Sequence, residues 1–252
     1  MANAFFWYDL MTTDTDAAAV FYGDVVGWKT QDASQPGKPY TLFTVEGVAV
    51  AGLMPVPAEV KEAHPVWMGY IGVEDVDASA AAIEKAGGTI HRGPTTVPGI
   101  IRFAVVADPQ GAVFLVAKGL SGQPMPALAY GTPGAIGWRE LYAGEWQAAF
   151  AFYESLFGWT KAEAIDMGPM GVYQTFSTDT VPVGGMMTRM PETPAPFWLY
   201  YINVEAIDAA VTHVKAGGGK VILEPHQVPG GSWIVNCIDP QGAMFAMVGA
   251  KR

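Results

Sequence analysis

Alternating apolar and polar positions predict short strands and two helices in the first 118 residues. Residues 5–11 are aromatic and extended, and the stretches 40–45 and 48–53 flank Glu46-Gly47, a pair typical of a hairpin turn. Further strands are predicted at 67–73, 102–107 and 112–116. Helices are predicted at 16–26, with Asp14 and Asp16 as candidate N-caps, and at 77–86, where two glycines follow.

The same series of elements is predicted again further along the chain. A strand at 137–142 precedes a helix near 147–157, and strands near Val172 and Gly184 follow. A strand at 198–204, a helix at 207–216 and two closing strands complete the pattern. The predicted fold class is therefore α+β, built from four units of the order β-α-β-β-β.

Residue identities confirm that the pattern is a duplication. Trp7, Phe21-Tyr22, Gly27-Trp28, Val97-Pro98-Gly99 and Asp108–Ala112 all recur 131 positions later, as in 138 − 7 = 131. Tyr40 and Phe43 recur at an offset of 133, because a short insertion intervenes. Several colinear matches at one offset cannot arise by chance.

The duplication also predicts the domain boundaries. Residues 119–134 contain four glycines and three prolines and show no periodicity, which is typical of a linker. We therefore expect one domain at 1–118, a linker at 119–134 and a second domain at 135–252.

Composition narrows the possible partners. The net charge is −10, and no basic stripe is present that could bind nucleic acid. No apolar run approaches the roughly 20 residues that span a bilayer. The N-terminus lacks signal-peptide features and the chain has one cysteine, so we expect a cytoplasmic protein. The mean hydropathy of +0.21 is high, which leaves a homodimer open beside a monomer.

The repeated motifs carry a resemblance to a known family. The helix ending in Phe-Tyr before Gly-Trp, and the closing Asp-Pro-x-Gly turn, each occur twice, as at Asp108 and Asp239. In these motifs the chain resembles the vicinal-oxygen-chelate (glyoxalase/bleomycin-resistance/dioxygenase) superfamily, and specifically its tandem-domain, glyoxalase-like bacterial group. The resemblance implies two domains with curved mixed sheets around cavities that bind small molecules.

Family members with metal chemistry place His, Gln or Glu at set positions of this pattern. The equivalent positions in this chain are occupied by Trp7, Met68, Leu115, Trp138, Leu199 and Ala246. These residues cannot form a usual divalent metal centre, since only the Met thioether is a ligand, and it suits copper(I). The four histidines are scattered. We therefore expect no metal and no other cofactor.

Side chains alternate along a strand, so residues that share the parity of Trp7 should face a common cavity. Asp9 and Glu140 are candidate general bases, because a carboxylate among aromatic residues is costly to bury unless it is paired. The alternative is that each only accepts hydrogen bonds from a Tyr hydroxyl, an indole or backbone amides. Candidates to hold an oxyanion are Tyr70, Tyr201 and Arg102. Candidate substrate-binding residues are Trp7, Met11, Tyr40, Met68, Leu115, Trp138, Tyr142, Tyr173, Leu199 and His226.

Three functions remain open at this point. The first is a metal-independent lyase or isomerase that uses a carboxylate base on a small aromatic or carbonyl-containing molecule. The second is binding or sequestration without chemistry, as in bleomycin-resistance relatives. The third is a metal-dependent glyoxalase or dioxygenase with a non-standard site. Fold alone cannot choose among them.

Overall fold

The computed structural model describes residues 3–57, 64–122 and 128–252. Two βαβββ modules make up the first half. The first consists of β1 (Phe5–Thr12), α1 (Thr15–Val26), β2 (Lys29–Asp32), β3 (Thr41–Val45) and β4 (Val48–Pro55). The second consists of β5 (Val66–Gly72), α2 (Val76–Lys85), β6 (Thr89–Val97), β7 (Ile101–Ala107) and β8 (Val113–Gly119).

The second half repeats this order. Its first module consists of β9 (Ile136–Ala143), α3 (Trp146–Phe157), β10 (Thr160–Asp166), β11 (Val172–Ser177) and β12 (Pro182–Thr188), with a short 3-10 turn at Gly168–Met170. Its last module consists of β13 (Phe197–Asn203), α4 (Ile207–Ala216), β14 (Lys220–Gln227), β15 (Trp233–Ile238) and β16 (Met244–Gly249). The predicted fold class and the four-fold βαβββ order are confirmed.

Each half contributes one eight-stranded mixed sheet. The strand orders are β2-β3-β4-β1-β5-β8-β7-β6 and β10-β11-β12-β9-β13-β16-β15-β14. Within a module the first and last strands are parallel, and this register places Asp9 opposite Gly52 and Glu140 opposite Gly185. The intervening pairs, such as β3 with β4, are antiparallel hairpins.

Local sequence signals account for the ends of the helices. The Asp14 side chain accepts a hydrogen bond from the Ala17 amide at the start of α1, and Glu145 caps α3 in the same way. Gly27 ends α1 with φ of 75°, a left-handed conformation that glycine adopts without steric cost. The predicted hairpin turn is also present, since Glu46 and Gly47 both have positive φ.

The predicted β-α-β-β-β order includes one strand in each module for which the sequence pattern gives no bounds. In the structure these are the outer strands, β2, β6, β10 and β14. Every residue of β2 is exposed, and β10 is almost entirely exposed. An edge strand packs few side chains, so it lacks the apolar alternation from which strands are recognised.

The chain packs as two compact units, and each unit takes one module from each half. Unit 1 comprises Met1–Phe6, Met68–Pro124 and Trp138–Trp198. Unit 2 comprises Trp7–Trp67, Met125–Gly137 and Leu199–Arg252. The predicted limits of the linker remain a prediction, and its residues 123–127 lie outside the described part of the chain.

An aromatic cluster fills the core of each unit. In unit 2 the Tyr22 ring stacks on Trp28, and its hydroxyl donates to Asp239 over 3.1 Å. In unit 1 Tyr153 stacks on Trp159 and donates to Asp108 over 3.2 Å. These buried bonds join residues far apart in sequence, so both halves are needed to complete each core. Among the helices of the described residues, none is long and apolar enough to cross a membrane.

Candidate functional site

The first candidate cluster consists of Trp7, Asp9 and Tyr40 in unit 2. Trp7 and Asp9 are two residues apart on β1, so they share a face of the sheet, as the alternation predicts. The Tyr40 hydroxyl donates to Asp9 Oδ1 over 2.7 Å, and Trp7 Nε1 lies 2.9 Å from the same oxygen. The indole also lies 3.0 Å from the Tyr40 oxygen. Only 3% of Asp9 is exposed, and a buried carboxyl group needs hydrogen-bond donors such as these.

A glycine on the adjacent strand makes room for this cluster. Gly52 lies opposite Asp9 in the sheet. A Cβ atom at Gly52 would come within 2.0 Å of the Tyr40 hydroxyl oxygen and 2.2 Å of Asp9 Oδ1. Any larger residue would therefore separate the phenol from the carboxylate.

The second cluster repeats the arrangement in unit 1 with Trp138, Glu140 and Tyr173. Trp138 Nε1 donates to the Tyr173 hydroxyl over 2.8 Å, and this hydroxyl is hydrogen-bonded to Glu140. Gly185 lies opposite Glu140, and a Cβ atom there would approach the Tyr173 ring to 2.2 Å. Both halves have thus kept a tryptophan, an acid, a tyrosine and a glycine in one spatial arrangement.

The tyrosines of both clusters are poor acids. Burial, and then the charge of Asp9, raise the pKa of Tyr40 far above its ordinary value, although the Trp7 hydrogen bond lowers it. Burial and the charge of Glu140 raise the pKa of Tyr173 in the same way. Both phenols therefore stay protonated at neutral pH and act as hydrogen-bond donors.

Each cluster can consequently do two things for a bound molecule. The carboxylate can accept a proton, and the neutral phenol and indole can donate to an oxygen on which negative charge develops. The sequence predicts Tyr70, Tyr201 and Arg102 as the residues that hold an oxyanion, and these roles stay predictions. In the structure the hydroxyls of Tyr40 and Tyr173 are hydrogen-bonded to Asp9 and Glu140. The recurrence of Tyr40 at Tyr173 was the signal that could have identified them.

The other predicted residues are distributed over the two units. The structure buries Met68, Tyr70, Leu115, Leu199 and Tyr201 and leaves Met11, Tyr142 and His226 partly exposed. Arg102 forms a bidentate ion pair with Asp77, at 2.6 and 2.7 Å, and also donates to Thr96. His226 Nδ1 lies 3.0 Å from the Glu224 carbonyl oxygen. The roles of these residues remain predictions.

The chain matches the model of a known protein superfamily in two places. The model of the Glyoxalase/Bleomycin resistance protein/Dioxygenase superfamily matches residues 4–116 and again 135–247. The chain therefore belongs to this superfamily, as a tandem of two of its domains.

Two relatives are similar over nearly the whole chain. The "Putative glyoxylase CFP32" of Mycobacterium tuberculosis is 32% identical over 246 residues, which cover 96% of this chain and 93% of the relative. The "Anthracycline biosynthesis protein DnrV" of Streptomyces peucetius is 32% identical over 257 residues, which cover 96% and 91%.

Solved structures show the same fold at low sequence identity. The Mn(II)-bound glyoxalase from Novosphingobium aromaticivorans has a TM-score of 0.69 and 18% identity, with 100% of this chain and 83% of that chain covered. A catechol 2,3-dioxygenase has a TM-score of 0.62 and 12% identity, with 100% and 89% covered. At these levels of sequence identity, the structural similarity establishes the fold alone.

The residues at the family's metal-ligand positions do not fit a metal ion. The Trp7 indole is engaged as an N–H donor, and Leu115, Leu199 and Ala246 are fully buried apolar side chains. Within residues 3–57, 64–122 and 128–252, no group of three or more His, Cys, Asp or Glu is placed to hold an ion. The chemistry of these side chains, at the positions that the sequence resemblance indicates, therefore does not suit a divalent ion.

Proposed function

We propose that this protein binds a small aromatic or carbonyl-containing molecule and that Asp9 or Glu140 acts on it as a general base, in a lyase or isomerase type of reaction. The observation that carries the proposal is the cluster of acid, tyrosine and tryptophan, built twice around a glycine. A purely structural acid could be replaced by a neutral side chain, whereas a base requires the carboxylate.

The chemical step is a simple proton transfer. The carboxylate takes a proton from a carbon next to a carbonyl group, and the electron pair moves onto the carbonyl oxygen. As the carboxylate takes up the proton, the single O–H of Tyr40 or Tyr173 turns from the carboxyl group to that oxygen and donates a hydrogen bond to it. The proton then returns from the carboxyl group to another atom of the molecule. No oxidant or reductant is needed. The names of the Streptomyces relatives, which refer to anthracycline biosynthesis, support an aromatic carbonyl compound.

Binding without chemistry is the second candidate, because Asp9 Oδ1 already accepts hydrogen bonds from a phenol and an indole. Such bonds stabilise the charged form of a carboxylate and make it a weaker base. In that case the cluster would serve only to position a ligand, and substitution of the acid would change affinity rather than turnover.

Exchange of carbon-bound protons separates the two candidates. Phenylacetone in D2O would be followed by NMR with wild-type protein and with Asp9→Asn and Glu140→Gln. We expect the wild type to accelerate loss of the proton next to the carbonyl, and at least one variant to lose about 100-fold of the rate. Ligand-induced stabilisation against heat should persist in that variant. Equal exchange rates in all three proteins would contradict a base role and favour sequestration.

Three further expectations remain proposals. They are a linker at 119–134, a cytoplasmic location and a monomeric or homodimeric state.

A further inference from the structure

The two clusters differ in what surrounds them. Tyr142 follows Glu140 by two positions on β9 and so lies on the same face, and its ring stacks on Phe197 with centroids 4.9 Å apart and planes at 8°. Both rings are partly exposed. The equivalent residues of the first half, 131 positions earlier, are Met11 and Val66. At this pair of positions the second half therefore has two stacked aromatic rings, where the first half has Met11 and Val66.

Tyr142 shares its face of β9 with both Trp138 and Glu140, since the three residues are spaced by two along the strand. After burial and the charge of Glu140, the Tyr142 phenol also adds to the raised pKa of Tyr173. The aromatic pair is thus next to the groups to which we assign proton transfer, and a ring stacked on it would be held close to Glu140.

An arginine follows the strand that pairs with Tyr142. Met187 lies opposite Tyr142 in the pairing of β12 with β9, and Arg189 is two residues further along the chain. The backbone amide of Arg189 donates to the carbonyl oxygen of Ala143, the residue after Tyr142, over 2.7 Å. The Arg189 side chain donates through Nη1 to the carbonyl oxygen of Thr193, in the loop that leads to Phe197. Its Nε is buried and has no hydrogen-bond partner among the described residues. In the first half the Val56 amide donates to the Thr12 carbonyl in the equivalent position, so a valine replaces the arginine.

A buried guanidinium N–H without an acceptor is costly, and a ligand oxygen would satisfy it. We propose that the second-half site selects a planar aromatic ligand, which stacks on the Tyr142–Phe197 pair and presents an oxygen to Arg189. This inference rests on the proposed function and adds the substrate class and the half of the chain in which binding occurs.

Binding of acetonaphthone, a planar aromatic ketone, tests the inference by calorimetry against its ring-saturated analogue. We expect acetonaphthone to bind roughly tenfold more tightly than the analogue, since offset stacking contributes beyond buried area. Tyr142→Met combined with Phe197→Val introduces the first-half residues and should remove most of this preference. Arg189→Met should weaken binding of both ketones by roughly fivefold.

Matched variants guard against trivial effects. Tyr142→Phe keeps the stacked ring and should retain the preference for acetonaphthone, whereas Tyr130→Met makes the same chemical change at an 85% exposed residue and should alter nothing. Thermal unfolding of each variant confirms that it is folded.

Equal affinities of the wild type for the two ketones would overturn the inference, as would a preference that survives in the double variant. Proton exchange on phenylacetone, measured in parallel, shows whether the stacking inference or the proposed base role has failed. If exchange depends on Glu140 while the aromatic preference is absent, only the stacking inference fails. If exchange is absent and the preference is present, the base role fails and the binding site stands.

Discussion

At the scale of single residues, the candidate sites depend on close packing around two carboxylates. Strand alternation predicts that Trp7 and Asp9 share one face, because side chains two positions apart lie on the same side of a strand. The recurrence of Tyr40 at Tyr173 indicates the partner tyrosines, but whether they reach the carboxylates depends on the register between strands. Register becomes visible only in the structure, where Gly52 leaves space for Tyr40 against Asp9.

Substitution of Gly52 by alanine tests this packing. The new Cβ atom would lie 2.0 Å from the Tyr40 hydroxyl oxygen, so the phenol must move and Asp9 loses a donor. We expect a loss of about 1–3 kcal/mol in the free energy of unfolding, measured in urea. Gly93→Ala is the matched control, because nothing lies within 4 Å of its Cβ position. A loss no larger than in the control would show that the cluster tolerates displacement of Tyr40.

At the scale of elements, the helices and the inner strands follow directly from sequence, since caps, glycine stops and apolar alternation agree there. The outer strands β2, β6, β10 and β14 do not, because their hydrogen bonds to a neighbour, rather than burial, define them. The repeated Asp-Pro-x-Gly turns are also more than connections. The side chains of Asp108 and Asp239 accept hydrogen bonds from backbone amides of the turn, and each also accepts one from the hydroxyl of a buried tyrosine.

Because they are buried, these turn aspartates should make the free energy of unfolding depend on pH. It raises the pKa of Asp239, although the turn amides and Tyr22 lower it. Because the folded pKa lies above the unfolded value, the stability that Asp239 contributes is complete below the unfolded pKa and falls as pH rises through the folded pKa. Asp239→Asn removes this titration. We expect the unfolding free energy of the wild type to fall relative to the variant as pH rises above about 4. A pH-independent difference, measured by urea titration, would contradict the assignment.

The glutamines of the two Asp-Pro-Gln-Gly turns differ in their hydrogen bonds. The Gln110 amide exchanges two hydrogen bonds with the backbone of Glu145, at 2.8 and 2.9 Å. Its counterpart Gln241 has a buried Oε1 without a partner among the described residues. Gln110→Ala should therefore cost about 1–2 kcal/mol in urea-induced unfolding, and Gln241→Ala close to none. Equal losses for both variants would mean that the paired hydrogen bonds contribute nothing.

At the scale of the whole molecule, each compact unit contains one module from each half. The sequence revealed the duplication but not this exchange, because a repeat offset records similarity and not packing. The buried bonds from Tyr22 to Asp239 and from Tyr153 to Asp108 join the halves in both directions.

Because each compact unit contains one module from each half, we predict that neither half alone is a stable monomer. Residues 3–122 expressed alone would expose the faces that α1 and β8 bury with partners from the second half. We expect this fragment to self-associate or aggregate, as measured by light scattering after size-exclusion chromatography, and to form a folded complex when mixed with residues 128–252. A monomeric fragment with a cooperative thermal transition would contradict the account of the core.

The central claim is that the buried carboxylates act as bases. Its most direct test is the rate of proton exchange on phenylacetone in D2O for the wild type and for the Asp9→Asn/Glu140→Gln double variant, with heat stabilisation by the ligand measured in parallel. We predict that exchange in the double variant falls to the rate without protein while stabilisation persists. A double variant that binds the ketone and exchanges its proton as fast as the wild type would contradict the claim.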